Sequence, residues 1–515
     1  MQTFPKIVQP TAPSIQSSPG KPRILFVTPA VSYLPTGMGS VSDYLSAKAG
    51  SVADISATLL RALFEQGADI HVAMPNYRKI FNRKIPLLVR RAQRILPSEL
   101  PEERIHLAAD RDFYYLDHIP NGNEYDAVRI SLNFQREVMN DIIPRVLPDL
   151  IHCQDWMTGL IPAFARKLNI PCLFTMHNAQ SAACTLSRME DIGIDAASFW
   201  QYLFYEQFPY SYETSRDANP VDLLSSGVFA SDYFNTGGTN FLHRIIGGEI
   251  GGLDKNLQHE LAVKMGEGKA VSISNAPDPS FNPTTDKGLL RRYHAKNHHA
   301  AKQYNKLYIQ ELLGLSMDSS APVLFWPSGL DSAAKGGALL SEILSDVLFE
   351  YSNCNLQVVI AGDALENGFA ESVESHRLNF AACGYEERLV RLAYAASDFV
   401  LIPELFEPSD LSQMIGPIYG SIPIAHEADG LHKDIEPLNI GGDRGNAFLF
   451  KNCDAAGLMW AVREALRFYA LPQAEKSRQI ERIMIESASD FSHSIMVCRY
   501  IELYEKVLNR AIVPI

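Results

Sequence analysis

Short apolar runs alternate along this chain with segments whose apolar positions recur at helical spacing. Residues 23–29 (RILFVTP) form a first apolar run that enters a turn, and Leu59, Leu60, Leu63 and Phe64 then predict a helix over 55–66. After Gly67 a second run, 69–74 (DIHVAM), stops at Pro75. This is the opening of a strand-helix-strand unit, for which a parallel sheet is expected. Further strands are predicted at 150–152 and 172–176, with a helix over 156–168 between them. Residues 271–283 (VSISNAPDPSFNP) are rich in Pro, Ser and Asn, and a basic helical stretch follows over 289–313. The alternation then restarts, with strands at 323–326, 357–361, 399–402 and 422–425 and helices at 337–349 and near 411–419. The last amphipathic stretch, 493–508, is expected to pack back across the first domain.

The pattern predicts an α/β protein of two Rossmann-like domains with parallel sheets facing a cleft. A disordered tail is expected at 1–22, an N-terminal domain at 23–268, a C-terminal domain at 269–488 and a returning helix at 489–515. A length of 515 residues exceeds one ordinary core. A hydrophobic content of 46% with 20% charged residues is that of a globular chain. A net charge of −13 argues against a nucleic-acid or anionic-membrane surface. Seven scattered cysteines with no Cys-x-x-Cys pair suggest neither a disulfide framework nor a zinc site. No signal segment and no apolar run of membrane-spanning length is recognisable, so a cytoplasmic location is expected.

Candidate chemistry lies where predicted strands end. Residues 398–410 (DFVLIPELFEPSD) carry an apolar run into Phe406-Glu407-Pro408, which puts the Glu407 carboxylate past the carboxyl end of a buried strand, where open α/β sheets hold ligands. Asp155 follows 150–152 and is either a helix cap or a site carboxylate; His177 follows 172–176 and is either structural or functional. Lys48 and Gly50, in a Gly-Ser segment (48–54) between the first strand and helix, belong to a plain surface loop or to a place where amides and a cation meet a phosphate. The aromatic stretch 199–212 (FWQYLFYEQFPYSY) is core, interface or a sugar-stacking platform.

Taken in order, these segments resemble the bacterial glycogen synthase and plant starch synthase family (glycosyltransferase family 5). His152-Cys153-Gln154-Asp155-Trp156 is similar to its His-x-His-Asp-Trp motif, with Gln154 in place of the second His; His177-Asn178 to its Thr-x-His-Asn; and Lys48–Asp54 to its Lys-Thr-Gly-Gly-Leu loop. Lys335-Gly336, Tyr419-Gly420-Ser421-Ile422-Pro423 and Asn282-Pro283-Thr284-Thr285-Asp286 match further motifs, and Asn275-Ala276-Pro277-Asp278 replaces its Asn-Gly-Ile-Asp. The resemblance implies the GT-B fold and a retaining transfer of glucose from ADP-glucose, or UDP-glucose, to the non-reducing end of an α-1,4-glucan. It implies no metal and no cofactor beyond the nucleotide sugar. Glu407, His177 and Asp155 are then expected around the transferred sugar, and Lys48, Gly50, Lys335, Ser409, Asp410 and Leu411 around the donor.

The chain departs from the family at three places: Gly329 stands at the phosphate-binding Arg, Asp410 at a small residue, and Glu427 at the Arg of Arg-Thr-Gly-Gly-Leu. Each reduces affinity for an anion. Arg388, Arg391 and the basic run 291–302 are candidate replacement cations. The alternatives are a weakened homologue that binds glucan or regulates a synthase, and a transferase with an altered donor or acceptor.

Overall fold

The computed structural model describes residues 20–39, 42, 45–48, 50–82, 104–120, 126–249, 254–329, 336–362, 369–403, 411–427 and 435–513. The expected tail at 1–22 lies almost wholly outside them. The first sheet contains β1 (Arg23–Val27), β2 (Asp69–Pro75), β3 (Ile105–Ala108), β4 (Leu150–Gln154) and β5 (Cys172–Met176). A two-stranded antiparallel ribbon, β6 (Ala183–Cys184) with β7 (Val221–Asp222), interrupts the series before β8 (Tyr233–Thr236) and β9 (Ala270–Ser272) complete that sheet. Its order is β3-β2-β1-β4-β5-β8-β9, with every pair parallel. The second sheet uses β10 (Val323–Gly329), β11 (Gln357–Gly362), β12 (Phe380–Cys383), β13 (Phe399–Ile402), β14 (Ile422–His426) and β15 (Phe448–Phe450). It is again all parallel, in the order β12-β11-β10-β13-β14-β15.

Both sheets therefore reverse direction beside their first strand, between β1 and β4 and between β10 and β13. Ligands of open α/β sheets bind beyond the carboxyl ends of the strands at such switch points. The strands read as continuous apolar runs because helices cover both faces. Alternation still sorts the second sheet's cores: Val323 and Phe325 face one cluster, Leu324 and Trp326 the other.

Strand positions agree with the apolar runs to within a few residues, and three helical expectations need correction. The helix expected over 156–168 is a 3₁₀ turn, Trp156–Thr158, followed by an α-helix, Ile161–Lys167. Gly159 separates them, because a Cβ there would collide with the carbonyl of Leu223. The first helix begins at Gly50, not at residue 55, so Gly50–Asp54 form its first turn. The basic stretch is a 3₁₀ turn, Ala295–Asn297, leading into a helix, His298–Leu313; residues 289–294 precede both. The first sheet also runs past the 268/269 division expected from composition, since β9 pairs with β8.

The final helix, His493–Leu508, returns to the first sheet. Met496, Val497, Tyr500, Leu503 and Tyr504 join the core built from Ile24 to Ala276.

Candidate active site

The first sheet's carboxyl edge is assembled by register. Gln154 on β4 is opposite Thr175 on β5, and Thr175 is opposite Asn235 on β8. Alternation then places His152, Gln154, Thr175, His177 and Asn235 on one face. Immediately after β4 the chain turns at Asp155, whose backbone is held at φ 54, ψ −177. Glycine tolerates that region; another residue persists there at a cost of about 1–3 kcal/mol, and only where surrounding contacts enforce it. The contacts here are specific. The Asp155 amide donates to the Thr175 carbonyl at 3.0 Å, and its carboxylate accepts from the His177 amide at 2.7 Å. Asp155 is 6% exposed. Its carboxylate does not cap the turn that follows; the Thr158 amide and hydroxyl use its carbonyl instead.

His177 is 1% exposed. Its Nε2 lies 2.7 Å from the Gln154 carbonyl oxygen, while Nδ1 has no partner among the described residues. Burial pushes the imidazole pKa down to about 4, so the ring is neutral at pH 7. A second orphan lies on the same edge, two strands further along. Asn275, after β9, donates its amide N–H to the carbonyl of Gly237, the residue that follows β8. Both side-chain atoms of Asn275 are buried without a partner among the described residues, and a Cβ at Gly237 would collide with them. The sequence offered a signal for Asn275, its place in the Asn-Ala-Pro-Asp segment, but no role. Buried polar groups are nearly always paired, so two orphans on the edge that carries the strained Asp155 mark a place built for a polar ligand.

Lys48, just before the first helix, points toward the second half of the chain. Its ammonium donates to the Tyr385 hydroxyl at 2.6 Å and pairs with Asp54 at 3.0 Å. Burial opposes its charge, but Asp54 and Tyr385 outweigh that and raise its pKa. Tyr385 follows β12, so this contact joins the carboxyl edges of the two sheets. Within the first sheet's own edge, the Tyr33 hydroxyl, past β1, donates to the Asp278 carboxylate, past β9, which also accepts from the Ser280 amide at 2.8 Å. Burial works against ionisation of Asp278, yet these hydrogen bonds and Arg61 hold its pKa below the usual carboxylate value.

On the second sheet, β10 ends at Gly329 and β13 at Ile402. Gly336, at φ 83, presses on Pro403 so closely that a Cβ would strike its carbonyl. Lys335 precedes one of these residues and Glu407 follows the other in sequence; Lys335, Glu407, Ser409 and Asp410 themselves lie outside the described residues. Leu411 is buried at the start of the helix Ser412–Ile418. Glu427 is exposed just beyond β14.

The replacement cations separate by their partners. Arg391 is engaged with Asp286, Glu387 and Ser280, and Lys302 donates to the buried carbonyls of Tyr394 and Tyr419. Arg291 stacks on Tyr304. Arg388 is exposed in the first turn of the helix Glu387–Ala396, three positions beyond Tyr385. The aromatic stretch divides as well: Phe199 and Tyr205 are buried, whereas Phe208 and Tyr210 form an exposed edge-to-face pair, 5.2 Å between centroids.

Residues 23–259 match the family model for the starch synthase catalytic domain. The chain is 30% identical to a glycogen synthase of Lachnoclostridium phytofermentans over 487 residues, covering 89% of this chain and 97% of that one. It is also 30% identical to a glycogen synthase of Exiguobacterium sibiricum over 494 residues, covering 90% and 97%. Among solved structures it is similar to the catalytic domain of starch synthase IV from Arabidopsis thaliana bound to ADP and acarbose, with a TM-score of 0.73 at 20% identity over 95% of this chain and all of that one. A sucrose-phosphate synthase from Thermosynechococcus elongatus shares the fold at a TM-score of 0.58 and 14% identity, over 95% of this chain and all of that one.

Proposed function

The chain belongs to the glycogen synthase and starch synthase family, a glycosyltransferase of GT-B architecture, and from that premise we propose that it extends an α-1,4-glucan at its non-reducing end with glucose taken from ADP-glucose, UDP-glucose being the second choice. The observation that carries the site assignment is the carboxyl edge of the first sheet, where strained Asp155 holds the amide of His177 and leaves that imidazole's Nδ1 unpartnered.

In this reading the sugar lies against that edge. The Asp155 carboxylate faces positive charge developing at the anomeric carbon, and a hydroxyl of the sugar donates to the neutral His177 ring. Asn275 offers both an acceptor and a donor to further hydroxyls. Glu407 approaches from the second sheet by resemblance, and Lys335 with Lys48 neutralises the departing diphosphate, Lys48 exchanging the Tyr385 hydroxyl for phosphate oxygens. Closure of the two halves excludes water, so the glucan is the acceptor. The reading calls for no resident metal, and transfer is expected to survive a chelator. It assigns the cytoplasm as the compartment, in keeping with seven free cysteines; no helix of the described residues is long and apolar enough to cross a membrane.

A second reading, a weakened homologue that binds glucan or regulates a synthase, is favoured by Gly329 at the end of β10 and by the carboxylates Asp410 and Glu427. One experiment separates them: purified protein is given glycogen with labelled ADP-glucose or UDP-glucose. Incorporation into glucan supports the synthase reading and identifies the donor. Glycogen retained without incorporation supports the second.

A further inference from the structure

A buried polar row runs from His177 across the first sheet to the C-terminal helix. The Gln154 amide stands between two imidazoles, its oxygen 2.7 Å from His177 Nε2 and its nitrogen 2.8 Å from His152 Nε2. His152 Nδ1 lies 2.6 Å from the Tyr504 hydroxyl, which has no other partner among the described residues. Thr175 Oγ1 sits between His152 Nε2, 2.6 Å away, and Asn235, and the Asn235 amide nitrogen donates to Tyr500 at 3.0 Å. His152 and Tyr504 are wholly buried.

Burial keeps both imidazoles neutral, so each has one N–H and one lone pair. The Gln154 oxygen only accepts, which places the His177 proton on Nε2 and leaves a lone pair on Nδ1. The Gln154 nitrogen only donates, so His152 Nε2 accepts, and the His152 proton sits on Nδ1 and is given to the Tyr504 oxygen. The row thus has a direction, and its far end is anchored by a helix that returns from the other sheet.

We propose that Tyr504 is a positioning residue for the transfer: acting through His152 and Gln154, it fixes the proton of His177 on Nε2 so that Nδ1 presents a lone pair to a substrate hydroxyl. The identity of that hydroxyl rests on the transferase reading; the proton positions do not. Without the Tyr504 oxygen, His152 Nδ1–H is a buried donor with no acceptor. The arrangement that avoids this moves the His152 proton to Nε2, facing Thr175 Oγ1, turns the Gln154 amide over, and puts the His177 proton on Nδ1. A substrate hydroxyl then meets a donor where it needs an acceptor.

The test is nitrogen NMR of the full chain labelled with ring-¹⁵N histidine at neutral pH, the His177 signals being assigned by their loss in His177→Asn. Wild type is expected to show His177 protonated on Nε2, and Tyr504→Phe to show it protonated on Nδ1. Transfer by Tyr504→Phe is expected to fall in kcat by about tenfold with the donor KM within twofold. Tyr500→Phe removes a buried hydroxyl from the same helix, one that contacts Asn235 and Thr175 but no imidazole nitrogen, and is expected to leave the His177 signals in place. Unchanged His177 signals in Tyr504→Phe, or the same change in both tyrosine variants, overturn the proposal whether or not the protein proves to be a transferase. If Tyr504→Phe does not fold, Gln154→Leu cuts the row nearer the site and must move the His177 signals; signals that stay put overturn the proposal equally.

Discussion

Asp155 keeps a backbone conformation that a glycine would adopt without strain, and it does so with its carboxylate buried at the switch point of the first sheet. Asp155→Asn retains the shape and the acceptor for the His177 amide and removes only the charge. Unfolding is expected to stay within about 1 kcal/mol of wild type while transfer falls about 100-fold or more. A purely structural Asp155 would leave the rate unchanged. Cation supply is the other question at this scale. Arg391 and Lys302 are committed to internal partners, and we propose Arg388, exposed three positions beyond Tyr385 in the chain, as a replacement for the arginine absent at Gly329. Arg388→Ala is expected to raise the donor KM about tenfold, and Gly329→Arg to raise kcat/KM by a similar factor. Steady-state kinetics with the nucleotide sugar varied decides both; no change in either variant contradicts the account of the phosphate site.

Among the elements, the turn at Gly336 carries the most specific demand. Its φ of 83 and its contact with Pro403 leave no room for a side chain. Gly336→Ala is expected to cost about 1–3 kcal/mol in urea unfolding and to reduce transfer as well, because the turn adjoins Lys335 and meets the residue at which β13's loop begins. The strands were legible in the sequence because parallel, doubly covered strands are near-continuous apolar runs, and β13, at Phe399–Ile402, stands where its run predicts. The helix over 156–168 was not, since the reason Gly159 breaks it is the Leu223 carbonyl, more than sixty residues away. For the same reason the positions of Asp155 and His177 were readable, as residues just past strand ends, while the row from Gln154 to Tyr504 was not: its members lie up to 352 residues apart, and only register and the returning helix bring them together. Gln154 showed in the sequence only as a departure from a family histidine.

For the whole molecule, neutral buried imidazoles couple the fold to pH. Burial lowers His177 to about 4, and burial together with the neighbouring His71, Arg145 and Arg23 lowers His106 to about 3, from an ordinary value of 6.5. Below pH 6.5 the unfolded chain binds protons that these rings refuse in the fold, so stability is full above that pH and is lost as pH falls toward the folded values. Urea midpoints are expected to drop between pH 6.5 and 4, and less steeply in His106→Gln; a variant with the wild-type slope would remove His106 from the explanation. The two sheets meet through Lys48 with Tyr385, a contact between the carboxyl edges at which the sugar and its diphosphate are placed here. The most direct test of the account is therefore extension of a short α-1,4-glucan primer by wild type and Asp155→Asn with ADP-glucose, read as product length and released ADP. The account predicts stepwise lengthening by wild type, one ADP per glucose, and its loss in the variant. A primer that binds wild type yet never lengthens, with ADP-glucose or UDP-glucose, would contradict it.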